Sequence, residues 1–171
     1  MKNVILVRHA KADKTMHTIR DIDRPLIERG ITDAELVSTM LLKEKLEAGK
    51  IISSPAIRAY ATALIFARNL QIGAAAIQLE PGLYEAEPKF YLEFIKDLDI
   101  EDDTVTLFAH NPGISAACSL LTGNAYEDLP TCAVCMLTSN ANSWSEILPG
   151  EMKLDKIIVP KQLKGTSNNL I

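Results

Sequence analysis

Of the three histidines in this chain, His9, His17 and His110, two occupy the same kind of place. His9 follows an apolar run over residues 4–7, and His110 follows the alternating, β-branched stretch 104–108. In open α/β sheets the ligand crevice lies beyond the carboxyl ends of the strands, so two strands ending in histidine point to one shared site. Arg8 stands beside His9. Arg58 falls in the first turn of a helix expected to take Ser54 as its cap and Pro55 as its first residue. A cation there opposes the positive end of the helix dipole, and an anion bound at the helix start would turn that penalty into an advantage. A solvated arginine bending away into water is the other reading. Brought together, Arg8, His9, Arg58 and His110 would form a tight cationic pocket whose natural occupant is phosphate.

The spacing of apolar side chains predicts the elements that must position these residues. Residues 2–7 read as a strand buried on both faces, as in the middle of a parallel sheet. A polar stretch over 11–24 is too charged for core. Residues 26–46 carry helical spacing through Ile31, Ala34, Leu36 or Val37, Leu41 and Leu42, with Gly49 closing the helix. A short strand at 51–53 leads into a helix running to about Asn69. A strand at 76–79 and a helix from Pro88 follow. The strand at 104–108 comes next, and Asn111-Pro112 repeats the cap-plus-proline start of a helix reaching about Leu121. Residues 132–138 and 153–159 are the last strands. Strands alternating with helices predict an α/β fold of three layers, α/β/α, around a mostly parallel central sheet. One domain is expected over 1–163, with 164–171 as a polar, fraying tail.

Composition bounds the function. The chain has 171 residues and is 47% hydrophobic, ample for one core and no basis for disorder. No apolar run approaches the roughly 18–20 residues of a membrane span, and the opening apolar run is too short for a signal-peptide core. A net charge of −4 speaks against a broad nucleic-acid surface, so a basic site must be local. Three cysteines without a secretory signal read as reduced thiols in a cytoplasmic protein. Cys132 and Cys135 form a C-x-x-C, but a strand sends positions i and i+3 to opposite faces. Only Cys118 remains to complete a zinc set, so all three are expected to be buried small hydrophobes.

Five stretches occur in a telling order. They are Leu6-Val7-Arg8-His9-Ala10; Arg24-Pro25-Leu26 with Gly30 and Ala34; Ser53-Ser54-Pro55 with Arg58-Ala59 and Thr62; Leu83-Tyr84-Glu85; and Ala109-His110-Asn111-Pro112-Gly113. Together they resemble the signatures of the histidine phosphatase superfamily, the phosphoglycerate-mutase-like fold. The family's patterns there are an Arg-His-Gly, R-P-L-T-x-x-G-x-x-A, S-S-P-x-x-R-A-x-x-T, L-x-E and G-H-N-P-G. The short length, the R-H-A-K start and the D-x-D-R-P-L run are most similar to the SixA branch, the small phosphohistidine phosphatases. Ala10 and Ala109 replace glycines beside the two histidines, which narrows the site or requires only negative φ there. Ile27 replaces a threonine, so the first helix lacks that cap.

This resemblance implies that His9 is the nucleophile and forms a phosphohistidine that water then hydrolyses. Arg8 and Arg58 disfavour the charged imidazole, which keeps it able to attack. Arg8, Arg58 and His110 would hold the equatorial phosphoryl oxygens, and Arg24 would add a further phosphate contact. Glu85 lies at the position matching the acid of ester-cleaving relatives, with Glu80 and Glu87 as competing neighbours. No metal or other cofactor is implied, and no clustered Asp/Glu set looks like a magnesium site. The implied substrate is a phosphohistidine on a phosphotransfer protein. A small phosphorylated metabolite cleaved at a P–O ester is the alternative, and a phosphate-binding module without turnover is a third. His17 is expected to be a solvated loop residue. Tyr84 and Trp144 fit either the core or a crevice wall.

Overall fold

Val4 and Leu6 of strand β1 (Lys2–Arg8) face one layer of helices, and Ile5 and Val7 face the other. None of the four is more than 2% exposed, as a strand covered on both sides requires. The computed structural model describes residues 1–15 and 18–166. After β1 come α1 (Glu28–Lys43), β2 (Lys50–Ser53), α2 (Ile57–Asn69), β3 (Gln78–Leu79) and α3 (Pro88–Lys96). Then follow β4 (Thr104–Ala109), α4 (Gly113–Thr122), β5 (Val134–Ser139), β6 (Lys153–Ile158) and α5 (Pro160–Thr166).

The strands form one sheet in the order β3-β2-β4-β1-β5-β6. The first four are parallel neighbours, while β5 pairs antiparallel with β1 and β6 antiparallel with β5. The mostly parallel sheet therefore ends on an antiparallel pair. Helices α1, α2 and α5 cover one face through Val37, Leu41, Phe66 and Leu163. Helices α3 and α4 cover the other through Tyr91, Ile95, Ile114 and Leu121. Three layers result, as the alternation of elements predicts.

Helix boundaries depart from the sequence expectation where side chains find better partners. α1 ends at Lys43 because Lys45 turns to φ 55; Gly49 lies beyond the helix, where a Cβ would meet the Thr104 carbonyl at 1.9 Å. α2 starts at Ile57 with Ala56 as its cap, rather than at Pro55 with Ser54 as its cap. Ser54 Oγ accepts only a 3.3 Å bond from the Ala56 N–H and engages His110 instead. Likewise Asn111 does not cap α4, because its amide donates to the Leu129 carbonyl and accepts from Ser115. Ile27 gives α1 no side-chain cap, as expected. α5 runs through Thr166, so Lys164, expected in a tail, is helical and its Nζ lies 2.5 Å from Asp33. The rest of that stretch, 167–171, lies outside the described residues, and so does His17.

Candidate active site

The two histidines meet because their strands are neighbours. β1 and β4 pair in parallel with Arg8 opposite Ala109, and the His9 N–H donates to the Ala109 carbonyl at 3.0 Å. His9 and His110 thus leave the sheet side by side, with ring centroids 5.1 Å apart. From β1 the chain passes to α1 on one face, and from β4 to α4 on the other. The two connections diverge, which opens a crevice at the carboxyl ends of the strands.

A hydrogen bond assigns the tautomer of His9. His9 Nδ1 lies 2.7 Å from the Ala10 carbonyl, which can only accept, so Nδ1 carries the proton and Nε2 keeps its lone pair. Burial, followed by Arg58, Arg8 and Arg24, lowers His9 to about 4 despite the opposing Ala10 carbonyl. His110 falls to about 3 through burial, then through His9 and Arg58. Both rings are neutral at neutral pH. Ser54 Oγ is buried, accepts from the Ala56 N–H and shares a 2.8 Å hydrogen bond with His110 Nε2. Ala10 and Ala109 both keep negative φ, so alanine fits where the common pattern has glycine.

Arg58, near the start of α2, is 4% exposed rather than solvated. Its Nη1 donates to the Asp21 carbonyl at 2.6 Å and its Nη2 to the Asp21 carboxylate at 2.9 Å. Arg24 Nε donates to the other carboxylate oxygen at 2.7 Å, and the Tyr84 hydroxyl donates to the same oxygen as Arg58 at 2.8 Å. Burial opposes the charge on Asp21, yet Tyr84, Arg24 and Arg58 hold its pKa down at about 2. The anion that Arg58 requires at the helix start is thus supplied, in part, by the chain itself. Asp21 was missed by the sequence reading, in which it appears only within the D-x-D-R-P-L run. Its signal was the spacing of three to Arg24.

Arg8 Nη1 donates to Asp128 at 3.0 Å and also to the Leu129 carbonyl, and Asn111 Nδ2 donates to the same two groups. Nothing in the local sequence around Asp128 signals this role. Three nitrogens of these residues, Arg8 Nε, Arg58 Nε and His110 Nδ1, are buried with no hydrogen-bond partner among the described residues, as are Tyr91 Oη and Trp144 Nε1 in the core.

All six residues singled out from sequence line one cavity of about 520 Å³: Arg8, His9, Arg24, Arg58, Glu85 and His110. Glu85 is exposed, adopts φ 55, and no hydrogen bond or ion pair among the described residues holds its carboxylate. Glu80 instead accepts from the Gly82 N–H, and Glu87 precedes α3 outside this cavity. Tyr84 packs behind the crevice residues, its ring edge-on to His110 at 5.6 Å, whereas Trp144 is buried beneath Lys2 Nζ. Cys132 and Cys135 lie in the cores on opposite faces of the sheet, and all three cysteines are free and buried. Among the described residues no group of three or more His, Cys, Asp or Glu is placed to hold a metal ion, and no helix is long and apolar enough to cross a membrane.

The family model of the histidine phosphatase superfamily (branch 1) matches residues 4–89, half of the chain. The chain belongs to the histidine phosphatase superfamily. Of its site residues Arg8, His9, Arg24, Arg58 and Glu85 lie inside the matched stretch, and His110 lies beyond it. This histidine phosphatase is similar to a protein from Agrobacterium tumefaciens provisionally described as the phosphohistidine phosphatase SixA. The two are 26% identical, with a TM-score of 0.78 over 93% of this chain and 98% of that one. A protein histidine phosphatase SixA complexed with tungstate gives a TM-score of 0.81 at 21% identity, covering 94% of this chain and 99% of that one. A mycobacterial glucosyl-3-phosphoglycerate phosphatase complexed with VO3 gives 0.62 at 16% identity, covering 91% and 98%. The last two likenesses establish the fold. The chain is a phosphatase of the α/β, phosphoglycerate-mutase-like architecture.

Proposed function

We propose that this phosphatase removes the phosphoryl group from an N-phosphohistidine of a protein, through a covalent intermediate on His9. The observation that carries the phosphoryl reading is the convergence of Arg8, Arg24, Arg58 and the two histidines on one cavity. A phosphoryl group offers three equatorial oxygens, and charge on them grows in the transition state.

In the first step the lone pair on His9 Nε2 attacks phosphorus. The P–N bond to the substrate ring breaks and its electron pair stays on the leaving nitrogen; the ring, protonated on its other nitrogen, departs as neutral imidazole. In the second step water attacks the phosphorus on His9. The P–Nε2 bond breaks, inorganic phosphate leaves, and His9 returns to its neutral form. Arg8, Arg58 and His110 donate to the equatorial oxygens throughout, and Arg24 adds positive field through its place on the cavity wall. The low pKa of His9, about 4, keeps the nucleophile unprotonated at neutral pH.

The preference for a P–N substrate rests on Glu85. Ester cleavage expels an alkoxide and calls for a firmly placed acid, and Glu85 is exposed and held by no hydrogen bond. An imidazole leaving group has a reference pKa of about 6.5 and departs with little help. The test is turnover of a phosphohistidine protein against a panel of alkyl and aryl phosphates, for wild type and Glu85→Gln. Glu85→Gln is expected to cost less than about tenfold on phosphohistidine, near 1.4 kcal/mol of barrier. Faster wild-type turnover of alkyl phosphates, removed by Glu85→Gln, would replace this reading with a metabolite phosphatase.

A further inference from the structure

A second cleft of about 380 Å³ adjoins the phosphoryl cavity and shares Glu85, His110 and Asn111 with it. Its walls are of a different chemistry. Ala86 and Pro88 line one side, and Pro112, Gly113 and Ala116 at the start of α4 line the other. The two sides touch at the base, where a Cβ on Gly113 would lie 2.0 Å from the Ala86 carbonyl, so only glycine lets the turn rest on the helix. The side chain of Asn111 is engaged with Ser115 and Leu129, which leaves hydrocarbon as the main lining. The exposed carboxylates of Glu85 and Glu87 stand at the cleft, and neither has an ion pair among the described residues.

Charge therefore changes sign across the mouth. The phosphoryl cavity sets Arg8, Arg24, Arg58, Lys11 and Lys14 against Asp21, Asp128 and Glu85 and is net positive, while the adjoining cleft is apolar and bears the carboxylates of Glu85 and Glu87. A substrate with a dianionic phosphoryl group and an uncharged apolar remainder matches both parts. One with a second negative charge on the remainder meets Glu85 and Glu87. We propose that this cleft is the leaving-group subsite and takes an aromatic ring without negative charge. In the reading given above, on which this inference rests, that ring is the imidazole of the phosphohistidine. Burial of the ring against Ala86, Pro112 and Ala116 supplies affinity, and the carboxylates supply discrimination.

Binding of phosphonates tests this without requiring turnover. Phenylphosphonate, methylphosphonate and 4-carboxyphenylphosphonate are titrated calorimetrically into the intact protein, with inorganic phosphate as reference. Phenylphosphonate is expected to bind about tenfold more tightly than methylphosphonate. Ala116→Leu, which fills the cleft, should erase that gain and leave methylphosphonate and inorganic phosphate unchanged. The carboxylated ring should bind about fivefold or more weakly than phenylphosphonate, and Glu87→Gln, at an exposed position, should narrow the gap. Equal affinity for the phenyl and methyl compounds overturns the subsite, and so does an Ala116→Leu effect equal on every ligand. Should Ala116→Leu fail to fold, the wild-type and Glu87→Gln titrations decide alone. If inorganic phosphate itself does not bind, the phosphoryl cavity fails, and this proposal fails with it.

Discussion

Asp21 and Arg58 are joined twice, through the carbonyl of Asp21 at 2.6 Å and through its carboxylate at 2.9 Å. The carboxylate also binds Arg24 and Tyr84. Asp21 thus orients the arginine proposed to hold the phosphoryl group, and its negative charge occupies the same field. These two effects act in opposite directions on binding and on rate.

Asp21→Asn keeps the shape and removes the charge. Inorganic phosphate is expected to bind about fivefold more tightly, the scale of one partly exposed ion pair. Turnover is expected to fall, because Arg58 loses its charged anchor. Calorimetric affinity and kcat, measured on the same sample, read the two effects separately; weaker phosphate binding would leave Asp21 with the orienting role alone.

His9→Ala removes the proposed nucleophile. Activity is expected to drop by at least ~10³-fold with the fold retained. Wild-type enzyme quenched during turnover should carry a phosphate that is labile to acid and stable to base, and the variant should carry none. Near-normal rates in a folded His9→Ala sample would remove His9 from the mechanism.

Phosphate, sulfate or vanadate should stabilise the fold by mass action. At a hundred times its Kd a ligand adds about 2.7 kcal/mol, which in a domain of this size raises Tm by roughly 5–10 °C. Arg58→Ala should abolish most of that rise. EDTA should leave wild-type activity intact, and loss of activity restored by one particular metal would place the chemistry in another class.

Acid should weaken the fold through the two histidines. Both have folded pKa values below their ordinary value of 6.5, at about 4 for His9 and about 3 for His110. The unfolded chain therefore binds protons first as pH falls. The stability from keeping these rings neutral is fully present above pH 6.5. It is lost progressively as pH falls toward 4 for His9 and toward 3 for His110. Tm measured from pH 7 to pH 4 should fall accordingly, and His9→Ala should flatten about half of the slope.

Local pattern was enough to predict the strands and four of the residues around the cavity, Arg8, His9, Arg58 and His110, while Arg24 and Glu85 came from the family resemblance. An apolar run buried on both faces can only be an inner strand, and a histidine just past such a strand can only lie at its carboxyl end. Helix starts were less legible. Ser54-Pro55 and Asn111-Pro112 have the composition of helix caps, but Ser54 engages His110 and Asn111 engages Leu129 and Ser115. Those partners are far away in sequence, so no local preference could have announced them.

The chain's own residues near His9 and His110 are a matter of sequence; what faces them is a matter of packing. Sequence determined that two neutral-capable imidazoles and Arg8 sit at strand ends, because strand length and side-chain alternation fix where those residues emerge. Only the tertiary structure decided that Asp21 and Tyr84 close around Arg58, that Asp128 meets Arg8 across 120 positions, and that Glu85 rather than Glu80 or Glu87 reaches the cavity. Each of these depends on loops brought together by the order of strands in the sheet. That order is set by long-range burial of apolar faces, which no short window of residues contains.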